Sequence, residues 1–398
     1  MNYILFDGAN RNALLPFTYT RPVADIRVGI LTIREKWEAF LGLTTTTVTE
    51  DYLSEKFPMV EFSENTMING SYLPTQDLVD MLQKLNENEA IFDGEVVVAF
   101  RVVDNQETID FTQFKIHICP EHVLSIKNTW DIFQLNGAAI KADFNLITQG
   151  RTSEPIPKTV KTLNKIHIFI EEGVNLNHCI LNASDGPIYI GKNAQIMEGS
   201  LVRGPFALCE NSTLKMGAKI SGSTTVGPHC KVGGEVNNSV IFGYSNKAHD
   251  GFLGNSVIGE WCNLGADTNT SNLKNNYALV RLWNYETENF SKTDLQFCGL
   301  MMGDHSKCSI NTMFNTGTVV GVSANIFGSG FPRNFVPSFS WGGSQGMRTY
   351  LTKKAFEVAT AVFQRRGLEF TTKEAKILEH VFEISNNCLL YTSDAADD

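Results

Sequence analysis

The chain has 398 residues, a formal net charge of -10 and a charged fraction of 19%, below the roughly 25% of a typical soluble domain. Apolar residues make up 42% of the sequence but never form the roughly 18-residue run that a transmembrane helix needs. The composition argues against a membrane span, collagen and a disordered chain, and the acidic balance argues against non-specific nucleic-acid binding.

The first 160 residues alternate between short apolar runs and amphipathic stretches. The apolar runs, which predict strands, are 3–6, 45–48 and 95–100. The amphipathic stretches, which predict helices, are 30–40, 75–85 and 128–142. Strands that alternate with helices indicate an α/β domain over residues 1–160.

The N-terminus has no basic region followed by a long apolar stretch, so we expect no secretory signal. The eight cysteines form no CxxC pair, which argues against a zinc ribbon or a redox motif. Scattered cysteines of this kind are typical of buried free thiols in a reducing compartment, and we therefore expect a cytoplasmic protein.

A six-residue repeat dominates the second half of the chain. Eight consecutive aliphatic residues follow it: Ile190, Ile196, Val202, Leu208, Leu214, Ile220, Val226 and Val232. This period fits neither an α-helix nor a hairpin and predicts a parallel β-helix, in which each unit forms one flat side and points its aliphatic residue inward. After a slip the expected inward residues are Val240, Phe252, Ile258 and Leu264, with Asn246 as an exception, and the repeat resumes from Met302 to Ile326. We expect six or seven coils over residues 165–335.

Two helices are expected after the coils, within residues 345–385. Residues 350–366 are amphipathic, and Thr371 with Glu374 fits a capping box for a second helix. Such helices would cover an edge of the coils. Residues 389–398 have no apolar period, so we expect them to be a non-native tail that replaces the native C-terminus.

An α/β domain followed by hexapeptide coils resembles the GlmU-like bifunctional family, which joins N-acetylglucosamine-1-phosphate uridyltransferase to glucosamine-1-phosphate acetyltransferase. The segment 248–259, AHDGFLGNSVIG, is similar to that family's A-H-x-x-Y-x-G-D-x-x-I-G motif, and NLGADT at 263–268 is similar to N-[IL]-G-A-G-T. The resemblance implies a divergent member with a left-handed β-helix acyltransferase domain, a homotrimer, and acetyl-CoA as co-substrate.

The resemblance also implies residue roles. His249 matches the general base that takes a proton from the sugar amine, and Asn272 matches the asparagine beside the reacting groups. The implied substrate contacts are Phe252, Asn263, Lys274 and Arg281, and the implied acetyl-CoA contacts are Ser309, Asn311 and Ala324. Phe252 stands where the family has tyrosine, so the substrate-binding hydroxyl is missing.

The N-terminal half matches the family's nucleotide loop only in part. The resemblance implies nucleotide contacts at Gly8, Arg11 and Arg21, whereas the other glycines that would let backbone N–H groups bind phosphate are replaced. The magnesium-binding aspartate has no match in 69–74, and Asp104 is a candidate substitute. UTP and Mg²⁺ are implied if this half is active, and the metal ligands stay unknown.

The sequence therefore predicts a transferase of UDP-N-acetylglucosamine biosynthesis. The β-helix would N-acetylate an amino-sugar 1-phosphate, and the N-terminal domain would transfer a nucleotidyl group from UTP to a sugar 1-phosphate, releasing pyrophosphate. Two alternatives stay open: a nucleotidyltransferase with regulatory or oligomerising coils, and a non-catalytic scaffold that binds sugar nucleotides. We expect neither a nucleic-acid nor a membrane partner.

Overall fold

The structure, a computed structural model, describes residues 2–103 and 109–393. Its N-terminal domain contains a mixed sheet with strand order β2-β1-β3-β5-β4-β6, in which β1 pairs in parallel with both β2 and β3. The strands are β1 (Asn2–Phe6), β2 (Thr46–Val48), β3 (Glu64–Asn69), β4 (Glu89–Asp93), β5 (Val96–Val103) and β6 (Lys115–Ile118). The helices are α1 (Ile33–Leu41), α2 (Asp51–Ser54), α3 (Gln76–Gln83), α4 (Asp131–Gln134) and α5 (Asn136–Thr148). The predicted α/β fold is confirmed.

The predicted β-helix is also confirmed, and it has three faces of parallel strands. The first face holds β7 (Lys161–Leu163), β10 (Ile180–Asn182), β13 (Leu201–Arg203), β16 (Lys219–Ser221), β19 (Glu235–Asn237) and β22 (Phe252–Gly254), followed by the pair β25 (Asn269–Thr270) and β30 (Met313–Phe314). The second face holds β8 (Ile168–Ile170), β11 (Ile188–Ile190), β14 (Phe206–Leu208), β17 (Thr224–Val226), β20 (Val240–Ile241), β23 (Val257–Ile258), β28 (Leu300–Met302), β31 (Thr318–Val320) and β33 (Phe335–Val336). The third face holds β9 (Asn175–Leu176), β12 (Gln195–Ile196), β15 (Thr213–Leu214), β18 (Lys231–Val232), β21 (Asn246–Lys247), β24 (Asn263–Leu264), β29 (Lys307–Cys308), β32 (Asn325–Ile326) and β34 (Ser340–Gly343), with β35 (Gly346–Thr349) antiparallel to β34.

The inward residues stack in register from coil to coil. On the second face Ile190 pairs with Leu208, Leu208 with Val226, and Val226 with Ile241. Each fully buried aliphatic side chain contributes about 1.5–3 kcal/mol relative to exposure, and the stacked columns form one continuous core. The second face has nine strands, so the coils outnumber the six or seven expected.

The inward positions after the slip differ from the predicted ones. Ile241 and Leu253 belong to the core of the β-helix, and they take the places expected for Val240 and Phe252. Val240 instead packs against the N-terminal domain, and Phe252 lies half-buried on the outside of the first face. Between Val232 and Ile258 the inward positions are Val236, Ile241, Lys247 and Leu253, so three of the five steps are shorter than six residues.

An inserted hairpin interrupts one coil between β25 and β28. Its antiparallel strands are β26 (Arg281–Asn284) and β27 (Asn289–Lys292).

The other units cover two faces of the β-helix. The N-terminal domain covers the second face, where Phe17 and Phe242 place their ring centroids 5.5 Å apart within a shared core. On the third face, α6 (Thr352–Gln364) stacks Phe363 on Trp261 at 3.9 Å. The last helix, α7 (Thr372–Ser393), continues past the predicted limit of 385 and into the stretch predicted to be a non-native tail.

Within the described part of the chain, we find no helix with the length and apolar character that crossing a membrane requires. The cysteines described by the structure are buried and carry free thiols: Cys119, Cys179, Cys209, Cys230, Cys262, Cys298 and Cys308.

Candidate active site

His249 lies exposed on the turn between β21 and β22, at the corner that joins the third and first faces. Two glycines allow this turn to pack closely on the neighbouring coils. A Cβ atom at Gly234 would lie 2.8 Å from the carbonyl oxygen of His249. Gly251 has a φ of +116°, and a Cβ atom there would lie 2.1 Å from the Thr268 carbonyl oxygen. The backbone that presents His249 therefore requires glycine at both positions.

Lys247 supports the same turn from inside the β-helix. It pairs with the core residue Val232 and is only 2% exposed. Its Nζ donates to the carbonyl oxygens of His249, at 2.9 Å, and Gly233, at 3.3 Å. Burial lowers the pKa of Lys247 to about 8. This ammonium group ties the His249 turn to the coil beneath it.

His249 lies in the wall shared by two cavities. The first, of about 720 Å³, lies between the third face and α6, and we call it the α6 groove. The second, of about 560 Å³, opens on the other side of the corner, and we call it the corner cavity. An imidazole at this boundary could contact molecules bound on both sides.

The α6 groove is lined by four cationic side chains and by no carboxylate among the described residues. The cations are Lys231, Lys307, Arg365 and Arg366. Arg366 Nη2 donates to Asn246 Oδ1 at 3.1 Å, and Lys307 Nζ donates to the His305 carbonyl oxygen at 2.7 Å. Burial lowers the pKa of Lys307 to about 8. Such a groove suits a ligand that carries several negative charges.

None of these four residues was predicted from the sequence. Lys231 and Lys307 occupy outward positions of strands, where a lysine is unremarkable. Arg365 and Arg366 follow directly after α6, whose predicted role was only to cover an edge. Their shared location depends on how α6 docks, which the hexapeptide pattern does not encode.

Some of the predicted contacts lie in or beside the α6 groove. Asn263 lines it, and so does the exposed Ile310, which stands between Ser309 and Asn311. Ala324 is different, because it is 1% exposed within the core of the β-helix. Its N–H donates to Ser306 Oγ and its carbonyl accepts from the Lys307 N–H, so both backbone groups are already bonded. The prediction that Ala324 contacts acetyl-CoA is therefore corrected.

The remaining predicted residues do not line either cavity at His249. Asn272 Nδ2 donates to Asn255 Oδ1 at 2.8 Å, beyond the end of β25. Phe252 lies on the first face, where its N–H donates to Asn269 Oδ1 at 2.9 Å. Lys274 and Arg281 line a separate cavity beside the inserted hairpin. Within this chain the structure groups His249 with Asn263 and not with Asn272.

A cavity of about 440 Å³ follows β1 in the N-terminal domain, and we call it the N-terminal cavity. Gly8 and Arg11 line it, and their contact with a nucleotide stays a prediction. Arg11 Nε donates to Asp7 Oδ2 at 3.1 Å, and its Nη2 donates to the Thr18 carbonyl oxygen at 2.7 Å and Tyr52 Oη at 3.0 Å. The arginine thus makes several bonds within its own domain.

Arg21 lies outside the N-terminal cavity. It is 4% exposed, and its Nη2 lies 2.5 Å from Asp304 Oδ2 and 3.1 Å from Glu260 Oε2. Since both carboxylates belong to the β-helix, Arg21 joins the two large units. The structure does not bring it to Gly8 and Arg11.

The N-terminal cavity does not fit the magnesium site that the resemblance implies. Asp7 already accepts bonds from Arg11, from Thr49 Oγ1 at 2.6 Å and from the Val23 N–H at 2.7 Å. Burial raises the pKa of Asp7, which disfavours its carboxylate form. Over 2–103 and 109–393 no group of three or more His, Cys, Asp or Glu residues could hold a metal ion, and the candidate Asp104 lies outside these ranges.

Comparison with known proteins supports the class that the architecture indicates, a nucleotidyltransferase-like domain joined to hexapeptide coils. Residues 3–152 match the family described as sugar nucleotidyl transferase. The chain also resembles proteins named bifunctional protein GlmU. It is 25% identical over 193 residues to that of Synechococcus elongatus, covering 42% of each protein. It is 33% identical over 87 residues to that of Methanocaldococcus jannaschii, covering 22% of this chain and 21% of that one.

The predicted resemblance to GlmU-like transferases is therefore confirmed, although the chain matches less than half the length of these relatives. Solved structures with some likeness include UDP-N-acetylglucosamine acyltransferase from Campylobacter jejuni, at 11% identity and a TM-score of 0.23 over 57% of this chain and 96% of that one. The Arabidopsis enzyme of the same name has 15% identity and a TM-score of 0.23 over 61% and 98%. At these TM-scores we draw no argument from the two structures.

Proposed function

We propose that this chain is a transferase of sugar-nucleotide synthesis whose β-helix N-acetylates an amino-sugar 1-phosphate with acetyl-CoA. The observation that carries the proposal is the position of His249 in the wall between the α6 groove and the corner cavity. The four cations of the α6 groove suit the phosphates of coenzyme A. The corner cavity would then receive the amino sugar on the other side of the imidazole.

The proposed reaction forms one C–N bond and breaks one C–S bond. The amine nitrogen attacks the thioester carbonyl carbon while the His249 imidazole takes the amine proton. Collapse of the tetrahedral intermediate expels the coenzyme A thiolate, which takes that proton back from the imidazolium. A positioned general base of this kind contributes about 10²–10⁴-fold to the rate.

Two features support the positioning of the base. Lys247 holds the carbonyl of His249 from the inside of the coil, and glycines at 234 and 251 permit the close stacking of the turn. Both reduce the freedom of the backbone that carries the imidazole. A fixed base loses less entropy when the transition state forms.

The proposed assembly is the homotrimer that the resemblance implies. Its support is the first face, which neither the N-terminal domain nor the C-terminal helices cover, and which exposes Ile180, Leu201 and Met313 by 40%, 47% and 37%. Asn272 lies at the edge of this face, so a neighbouring chain could bring it to the reacting groups. Nucleotidyl transfer by the N-terminal domain stays a prediction, and we derive no step through Mg²⁺ because the residues do not fit it.

The test compares two histidine variants of the full chain, after light scattering has established whether it is a trimer. His249→Asn should lower the release of coenzyme A with glucosamine 1-phosphate by about 10²–10⁴-fold. His178→Asn is the control, because His178 is also exposed, with a left-handed φ of 46° that asparagine tolerates. Equal turnover in the two variants would refute the assigned base.

A further inference from the structure

The largest cavity that we describe lies beside the inserted hairpin, away from His249. It measures about 970 Å³, which is enough to enclose a ligand of several hundred daltons. We call it the hairpin cavity. Its cationic residues come from three places along the chain: Lys274 before the hairpin, Arg281 on β26, and Arg333 shortly before β33.

The charge of the hairpin cavity favours an anion. Glu288 is the one acidic residue in its described lining. In the part of the chain that the structure describes, no carboxylate forms a salt bridge with Lys274 or Arg281. Arg281 Nε donates to the Phe290 carbonyl oxygen at 3.0 Å, and Nη2 donates to the same oxygen. The opposite strand of the hairpin therefore fixes the guanidinium group through Nε and Nη2, and among the described residues no hydrogen bond is made by Nη1.

The hairpin cavity also has an aromatic wall. Trp283 and Phe335 stack with centroids 4.2 Å apart and planes 11° from parallel. Phe290 meets Trp283 edge-on at 5.5 Å and 76°. All three rings line the cavity, and none is fully buried. Aromatic walls of this kind stack on flat, π-bonded ligand groups.

We propose that the hairpin cavity binds a nucleoside diphosphate group, with its base against the aromatic wall and its diphosphate at Lys274, Arg281 and Arg333. A nucleotide base binds more tightly when it stacks on aromatic side chains, and arginine binds phosphate through paired donors. A sugar monophosphate, the ligand expected for Lys274 and Arg281 from the sequence, would use neither the aromatic wall nor all three cations. The site is therefore distinct from the proposed acyl-transfer site.

Two classes of ligand contain this group, namely a sugar nucleotide and coenzyme A. The experiment titrates the full-length His249→Asn variant by calorimetry with UDP-N-acetylglucosamine, UDP, coenzyme A and inorganic phosphate in turn. None of these ligands is an acyl donor, so binding is measured without turnover. A failure of the acyl-transfer proposal would remove coenzyme A binding in the α6 groove and leave the titrations with UDP and UDP-N-acetylglucosamine unchanged.

Two substitutions test whether the ligand binds in the hairpin cavity. Arg281→Gln and Phe290→Leu are each added to the His249→Asn variant. We expect each to weaken the nucleoside diphosphate ligand by about 10-fold, the loss of one charged hydrogen bond or one stacking contact. Arg365→Ala is the control for the α6 groove and should leave the binding of UDP and UDP-N-acetylglucosamine unchanged. Loss of UDP-N-acetylglucosamine binding identifies a sugar-nucleotide site, and loss of a coenzyme A binding event that Arg365→Ala leaves in place identifies a coenzyme site.

Three results would overturn the proposal. One is that no nucleoside diphosphate binds. Another is that inorganic phosphate binds as tightly as UDP, which means that the aromatic wall contributes nothing. The third is that Arg281→Gln and Phe290→Leu leave every affinity unchanged while circular dichroism shows both variants to be folded.

Discussion

The N-terminal cavity and the α6 groove use their cations in opposite ways. Arg11 and Asp7 are 10% and 8% exposed and bonded to each other, which neutralises both charges inside the domain. In the α6 groove, Lys231, Lys307 and Arg365 face a cavity whose described lining contains no carboxylate. One region uses its charge for folding, and the other keeps its charge available for a ligand.

The resemblance implies ligands with phosphate groups in both large units, a nucleotide in the N-terminal domain and acetyl-CoA in the β-helix. The structure instead gives the cations of the two regions different roles, with a paired cation in the N-terminal cavity and unpaired ones in the described lining of the α6 groove. A cation that is already paired must leave its carboxylate before it can bind a phosphate. Breaking a buried ion pair in this way costs several kcal/mol. A cation that faces an open groove binds phosphate at little such cost. We therefore expect changes in the N-terminal cavity to affect stability and changes in the α6 groove to affect substrate binding.

The largest expected effect is on stability. Arg11→Ala would leave the Asp7 carboxylate buried without its partner and should lower the free energy of unfolding by about 3–5 kcal/mol. Urea denaturation measures this loss, and acyl transfer by the folded variant should not change. Arg203→Ala is the control, because its ion pair with Asp185 is exposed and its loss should have no measurable effect.

The pH dependence gives this prediction a sign. Burial raises the pKa of Asp7 even with Arg11 beside it, so removal of the guanidinium should raise that pKa further. The folded variant then holds the Asp7 proton more tightly than the unfolded chain does. Its deficit relative to the unchanged protein should shrink as the pH falls through that raised pKa. A deficit that grows with acidity would contradict the buried pair.

The next effect is on binding in the α6 groove. Arg365→Ala combined with Arg366→Ala removes two of its four cations and should raise the KM for acetyl-CoA by about 10–100-fold, since a hydrogen bond to a charged group is worth about 1.5–3 kcal/mol. The kcat should change little, because neither arginine is placed at the reacting atoms. Arg348→Ala, on the exposed hairpin strand β35, is the matched control. An unchanged KM would mean that the acyl donor binds elsewhere.

The hexapeptide period predicted the β-helix because its physical cause is local. One inward residue in every six must be apolar. Stacked aliphatic residues such as Leu208 and Val226 therefore recur at a fixed spacing that is visible in the sequence. His249 was singled out by the resemblance to the acetyltransferase motif and not by this period. The period failed at the slip, where Lys247 occupies an inward position that the pattern reserves for an aliphatic residue. The coil tolerates this buried lysine because its Nζ donates to two carbonyl oxygens. A pattern of apolar residues cannot predict such a position.

The rest of the candidate site depends on contacts between distant segments. Arg366 reaches Asn246 across 120 positions, and Arg21 reaches Asp304 across 283. Neither partner can be deduced from periodicity, since the packing of whole units brings them together. The sequence therefore predicted the coil and its histidine, whereas the cations of the α6 groove and the pairing of Arg21 required the structure.

The smallest predicted effect concerns the pH dependence of the α6 groove. Burial lowers the pKa of Lys307 to about 8, so its ammonium group is charged below that pH and becomes neutral above it. The KM for acetyl-CoA should therefore rise by about 3–10-fold between pH 7 and pH 9, as one of four attractive charges is lost. Lys307→Arg should flatten this rise, because arginine stays charged throughout the range. Lys231→Arg, in the same groove, should keep the rise, and a rise of equal size in both variants would mean that another group titrates.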